Sequence, residues 1–139
     1  METTNNTTQT KTAGKVEFNN FSPFQSEQYV FLMLPIALMK DKVFSTLSDS
    51  AKILYSLLLN RLSLSRKNNW VDEDGDVFII YSVSEIEQDL GCSHPTAIKL
   101  LKELDVKTGI GLIERKRRGL GMPDIIYVKN FADYHVSKM

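Results

Sequence analysis

Between Ser82 and Val128 the chain spells two short helices joined through a glycine, followed at once by a cationic hairpin. No other stretch restricts the possible folds so strongly. Ser84-Glu85-Ile86-Glu87 reads as the start of the first helix, with Ser84 placed to cap and Glu87 to reach back in a capping box. Gly91-Cys92 supplies the break. Ser93 is a second cap, Pro95 stands in the first turn of the next helix, and Ala97, Ile98, Leu101 and Leu104 recur as its apolar stripe. Two helices so joined can hold the second one in a DNA groove. Arg115-Lys116-Arg117-Arg118 then runs into the tip Gly119-Leu120-Gly121-Met122-Pro123 and returns through Ile125 to Val128. This order predicts an α+β fold, a winged helix-turn-helix with a small antiparallel sheet and an N-terminal arm. The partner this order predicts is double-stranded DNA.

Charge agrees with that reading only locally. The chain carries 17 basic and 17 acidic residues, so its net charge gives no signal. From Ser93 to Met139, however, nine Lys/Arg face five Asp/Glu, and the local field is what a phosphate backbone meets. Four adjacent cations could merely guard an edge strand from aggregation. Side by side they repel one another unless an anion compensates, which favours phosphate. Strand alternation would send Arg115 and Arg117 to one face, and Lys116 and Arg118 to the other. The predicted DNA-binding residues are Ser93, His94, Thr96, Lys99 and Lys102 from the second helix, with Arg115, Lys116, Arg117, Arg118 and Gly119 from the wing. Of these, His94, Thr96 and Lys99 should face the groove, opposite Ala97, Leu101 and Leu104.

A length of 139 residues allows one domain with a core of its own. Residues 1–15 are a polar tract expected to be a disordered tail, 16–131 the winged-helix domain, and 132–139 a C-terminal tail or the start of a linker. Phe18, Phe21, Phe24 and Tyr29 suit an arm that lies on a surface. Tyr29 to Leu34 reads as a strand, and Pro35 opens a helical turn. Ser48 should cap a helix through Leu64 whose core face is Ile53, Leu54, Leu57, Leu58 and Leu62. The acidic turn Asp72 to Asp76 should join Trp70-Val71 and the strand Val77 to Tyr81 into a hairpin.

Several function classes lack support. Cys92 is the sole cysteine, so no intrachain disulfide forms, and a cytoplasmic chain is expected. The apolar run near Val30 to Met39 is too short to span a bilayer. Neither His94 nor His135 has the partners of a catalytic or metal site, and the acidic turn lacks the closing glutamate of a calcium loop because residue 83 is valine. The expectation is a protein that is not an enzyme and takes no metal or cofactor.

Further words carry a resemblance. They are Met33-Leu34-Pro35-Ile36-Ala37-Leu38, Leu47-Ser48-Asp49-Ser50-Ala51-Lys52-Ile53-Leu54-Tyr55, Asn69-Trp70-Val71-Asp72, Phe78-Ile79-Ile80-Tyr81, Lys99 to Leu104, Gly109 to Ile113 and Gly119 to Lys129. From about Phe18 to Phe131 the chain resembles the N-terminal domain of the plasmid replication initiator protein A family of Gram-positive bacteria. The resemblance implies a winged-helix domain that binds repeated sites in a plasmid origin, usually as a homodimer. It also implies that host replication proteins are recruited by a separate C-terminal domain absent from this chain. A winged-helix transcription regulator on a palindromic operator would share the DNA-binding features, and a winged helix used only for protein contacts would have no need of the basic wing.

Overall fold

The computed structural model describes residues 14–23 and 29–133, and the chain divides into two compact units, Met1–Phe31 and Leu32–Met139. The tail expected at 1–15 lies almost wholly outside the described residues, as do Phe24, His135 and most of the segment 132–139. Within the first unit Phe21 meets Tyr29 edge-on at 6.0 Å, and Tyr29 meets Phe31 at 6.3 Å. The strand expected from Tyr29 to Leu34 does not form. A β-prone run becomes a strand only beside another that completes its ladder, and the boundary between units falls inside this one.

In the second unit, helix α1 is Ala37–Lys40, and the Pro35 carbonyl just before it accepts the Leu38 N–H at 3.1 Å. Helix α2 is Asp49–Asn68. The Ser48 hydroxyl accepts the Ala51 N–H at 3.1 Å, which satisfies one of the free donors of its first turn. The helix runs four residues beyond the expected end at Leu64, because nothing breaks it before Asn69 turns left-handed at φ 57°. Its core stripe is Ala51, Leu54, Tyr55 and Leu58, and Ile53 is left outside at 40% exposure. Leu57 and Leu62 pack at the margin of the core.

The helix-turn-helix consists of α3, Val83–Leu90, and α4, His94–Leu104. The cap of α3 is Ser82, not Ser84. The Ser82 hydroxyl accepts the Glu85 N–H at 3.1 Å, and the Glu85 carboxylate accepts the Ser82 N–H at 2.9 Å. The sequence holds two overlapping capping words, Ser82 with Glu85 and Ser84 with Glu87. The tertiary structure selects the first: it sets Glu85 3.3 Å from the Arg61 guanidinium of α2, with Ile86 fully buried. Gly91 ends the helix in the left-handed region at φ 65°.

Among the described residues three short strands flank these helices: β1, Ile79–Ile80, before α3, and β2, Ile113–Lys116, and β3, Ile125–Val128, after α4. They form an antiparallel sheet in the order β1-β3-β2, with Ile79 opposite Ile126 and Arg115 also opposite Ile126 from the other side. The expected 77–81 strand is thus only two residues long, and it pairs with the wing. The local hairpin shrinks to one bridge, Val71 with Val77, and two backbone bonds, from the Phe78 N–H to the Trp70 carbonyl at 3.1 Å and from the Asp72 N–H to the Asp76 carbonyl at 2.9 Å. Pairing with β3 instead seals Ile79 and Ile126 into the core beside Leu54, Leu58, Leu101, Leu104 and Ile113. Each such side chain contributes about 1.5–3 kcal/mol by leaving water. Beyond β3, the Phe131 ring meets Phe44 edge-on at 5.4 Å and Tyr55 at a tilt at 5.8 Å. The Tyr55 hydroxyl donates to the Lys129 carbonyl at 2.5 Å, and burial pushes this phenol up to about 12.

Candidate nucleic-acid interface

Helix α4 begins at a cap that the sequence specifies locally. The Ser93 hydroxyl accepts the Thr96 N–H at 3.3 Å and donates to the Thr96 side-chain oxygen at 3.0 Å, so the two hydroxyls hold each other. His94 and Pro95 fill the first turn, with Nδ1 of the exposed His94 ring 2.8 Å from a carboxylate oxygen of Glu87 on α3. The buried stripe is Ala97, Leu100, Leu101 and Leu104; Leu100 takes the place expected for Ile98, which is half-buried. Thr96, Lys99 and Lys102 are exposed. At three-residue spacing they form one row along the helix. Glu103, by contrast, is drawn inward. Its carboxylate accepts the Ser48 N–H at 2.9 Å and the Ser48 hydroxyl at 2.8 Å, which ties α4 to the start of α2.

The chain after α4 folds back on the helix end and leads into the wing. A helix leaves its last carbonyls without partners. Here Thr108 Oγ1 donates to the Lys102 carbonyl at 2.8 Å, the Ile110 N–H to Glu103 at 2.9 Å, and the Leu112 N–H to Leu104 at 2.8 Å. This seating requires a glycine at 109, where a Cβ would lie 1.9 Å from the Glu103 carbonyl oxygen. Asp105 closes the arrangement from the side. One carboxylate oxygen accepts the Lys107 N–H at 3.0 Å, and the other accepts Arg115 Nε at 3.0 Å. The Asp105 side chain is 8% exposed and that of Arg115 24%.

Arg115 therefore departs from the expected run of four uncompensated cations. It shares the inner face of β2 with buried Ile113, and its charge is met by Asp105. Burial by itself would raise the Asp105 carboxyl; the Lys107 N–H and the Arg115 guanidinium outweigh it and hold the group below its ordinary range. A carboxyl lowered in the fold stabilises the protein above its unfolded value, about 3.9, and the contribution disappears as pH falls through the folded value. Asp105→Asn is accordingly expected to lower stability by about 2 kcal/mol at pH 7, less than for a fully buried pair because Arg115 keeps some water. The difference from the parent should shrink below about pH 4. Melting both proteins from pH 7 to pH 3 measures this, and a gap that does not close with acid would show that the ion pair does not stabilise the fold.

The strand β2 ends at Lys116, so alternation does not sort Arg117 and Arg118 onto opposite faces. Lys116 Nζ lies 5.4 Å from the centre of the Tyr127 ring. Arg117 and Arg118 are exposed beyond the strand, with Arg118 Nε donating to the Pro123 carbonyl across the tip at 3.1 Å. Gly119 and Gly121 have φ of 129° and 76°, values that favour glycine and let the tip reverse. The outer face of β3 is fixed from elsewhere. The Tyr127 hydroxyl donates to Asp72 at 2.8 Å, a bond that pushes the phenol up to about 12 and lowers the Asp72 carboxyl. Asp72 also accepts the N–H groups of Asp74 and Asp76, both at 2.9 Å, so the acidic turn organises itself around its first carboxylate.

Of the residues singled out from the sequence, one set is displayed on α4 (Ser93, His94, Thr96, Lys99, Lys102) and another at the wing (Lys116, Arg117, Arg118, Gly119). Asp105 was not singled out, and Glu87, read from the sequence as the cap partner of Ser84, instead meets His94, while Glu103 binds Ser48 instead of facing solvent. The one available signal was Gly109 and Gly111 closely spaced between a helix and a strand, where a turn must pass near the helix end.

Comparison with known proteins bears on this arrangement. Residues 30–138 match the family model described as Replication initiator protein A (RepA) N-terminus. A 41 kDa protein of Lactobacillus helveticus is 24% identical over 114 residues, which cover 78% of this chain and 31% of that protein. The chain spans about a third of the length of this relative. Among solved structures, one described as the N-terminal domain of a DNA binding protein is 32% identical with a TM-score of 0.64, covering 82% of this chain and 85% of its own. A Rep-DNA complex is 32% identical with a TM-score of 0.65, at 86% and 88% coverage. An MDR initiator is 31% identical with a TM-score of 0.63, at 81% and 86%. With the family model matching most of its length, and with helix-turn-helix and wing in place, the chain belongs to the replication initiator protein A N-terminus family.

Proposed function

We propose that this domain binds double-stranded DNA at repeated sites in a plasmid replication origin, as the DNA-binding part of a cytoplasmic replication initiator. The observation that carries the reading is the exposed row Thr96, Lys99 and Lys102 on a helix whose end is seated against a wing bearing exposed Lys116, Arg117 and Arg118. Such a helix presents polar side chains to base edges while the wing meets phosphates flanking the groove. The similarity to the structure described as a Rep-DNA complex supports the same partner. Ser93 and His94 belong to this interface at the start of α4. Gly119 shapes the tip, and Arg115 acts from behind through Asp105. The protein acts as a homodimer, and host replication proteins are met outside this domain.

Footprinting on the replication region of the parent plasmid tests this. Protected repeats, with paired half-sites about one helical turn apart for a dimer, are expected. Thr96→Ala should lower the preference for those repeats over random duplex by about 1–3 kcal/mol, because a base-reading side chain supplies discrimination of that order. Uniform protection of the whole region, unchanged by Thr96→Ala, would reject sequence reading by α4.

A further inference from the structure

Glu87 of α3 meets His94 of α4 across the turn at Gly91. His94 is the first residue of α4, and its side chain is 65% exposed. Its Nδ1 lies 2.8 Å from Oε2 of Glu87, which is 30% exposed and belongs to the other helix of the pair. An ionised carboxylate can only accept a hydrogen bond. Nδ1 must therefore carry the proton, and in the neutral ring Nε2 is left with a lone pair. Which imidazole nitrogen is protonated follows from the bond the other one makes. Glu87 is available for this role because the helix cap is formed by Ser82 with Glu85, not by Ser84 with Glu87.

We infer that Glu87 is a positioning residue for specificity: in the neutral ring it fixes His94 as the Nδ1–H tautomer, so that Nε2 accepts a hydrogen bond from an exocyclic amine in the major groove. The bases offering such a donor there are adenine, through N6, and cytosine, through N4. The opposite tautomer would present an N–H and favour the acceptors of guanine or thymine instead. Glu87 thus selects the base class at one position without touching the base. This rests on the proposed placement of α4 in the major groove.

The experiment selects bound duplexes from a random pool with the parent protein, His94→Ala and Glu87→Ala, and records the long-range nitrogen–proton spectrum of the His94 ring in the parent and Glu87→Ala. In the parent, one position should prefer adenine or cytosine and the ring should show the Nδ1–H tautomer. Glu87→Ala should shift the ring toward the Nε2–H form and reduce the preference at that position alone by about tenfold, within the range of one base contact. His94→Ala should erase the preference at the same position. Two outcomes overturn the inference while leaving the DNA-binding reading intact: a tautomer unchanged by Glu87→Ala, or a preference that His94→Ala removes and Glu87→Ala does not. Selection unchanged by His94→Ala would show instead that His94 reads no base, and both readings of this residue would fall. Circular dichroism and thermal melting of the parent and both variants confirm the fold, so a collapsed protein cannot pass for a specificity change.

Discussion

Gly109→Ala is expected to lower the free energy of unfolding by about 3 kcal/mol, the upper end of what forced overpacking costs. The new methyl carbon would lie 1.9 Å from the Glu103 carbonyl oxygen and 2.4 Å from that of Lys102, both backbone atoms that no side-chain rotation can move aside. Relief requires the turn to lift from the helix, which breaks the bonds from Thr108, Ile110 and Leu112 to the last carbonyls of α4. The same movement loosens Asp105 from Arg115 and lets the wing drift relative to the helix. Denaturant unfolding of the variant against the parent measures the loss. A midpoint within error of the parent would mean that the turn does not sit on the helix end.

The second large effect concerns binding, not stability. Each phosphate contact releases counterions, so losing one lowers the slope of log affinity against log salt by about 0.9. Arg117 and Arg118 are exposed past the end of β2, whereas Arg115 is held by Asp105. Neutralising Arg117 and Arg118 together should reduce the slope by nearly two. The ratio of parent to variant affinity would then change by about tenfold between 50 and 200 mM salt. Cognate and random duplex should be affected alike, since phosphate contacts carry little sequence information. Arg115→Met should leave the slope nearly unchanged and reduce stability instead. Titrations at four salt concentrations separate these cases, and an equal slope change from Arg115→Met would place its guanidinium on DNA after all.

Much of the architecture was legible in local words. Ser48, Ser93 with Pro95, and Gly91 mark helix ends because their side chains, or the lack of one, act on backbone groups within a few residues. The glycines at 119 and 121 mark the wing tip for the same local reason. The order helix, turn, helix and basic hairpin was therefore readable without a structure, and so was the set of exposed side chains on α4. Choices between equivalent local signals were not. Ser82 and Ser84 each begin a valid capping word, and Arg61, 24 residues earlier on another helix, favours the one containing Glu85. Val77 to Tyr81 could pair with either neighbour, and the burial of Ile79 against Ile126 determined the partner.

The interface divides along the same line. Sequence alone determined that a capped helix keeps His94, Thr96 and Lys99 off its apolar stripe, because helical periodicity follows from backbone geometry that every residue shares. It also determined that four cations precede a glycine tip. Only the tertiary structure decided which of those cations are available, because a charge's partner depends on distance in space. Asp105, ten residues from Arg115 along the chain, comes within 3.0 Å of it once the turn closes over Gly109. It likewise decided that Glu87 reaches His94 across the turn at Gly91, a meeting of two helices that neither helix encodes by itself.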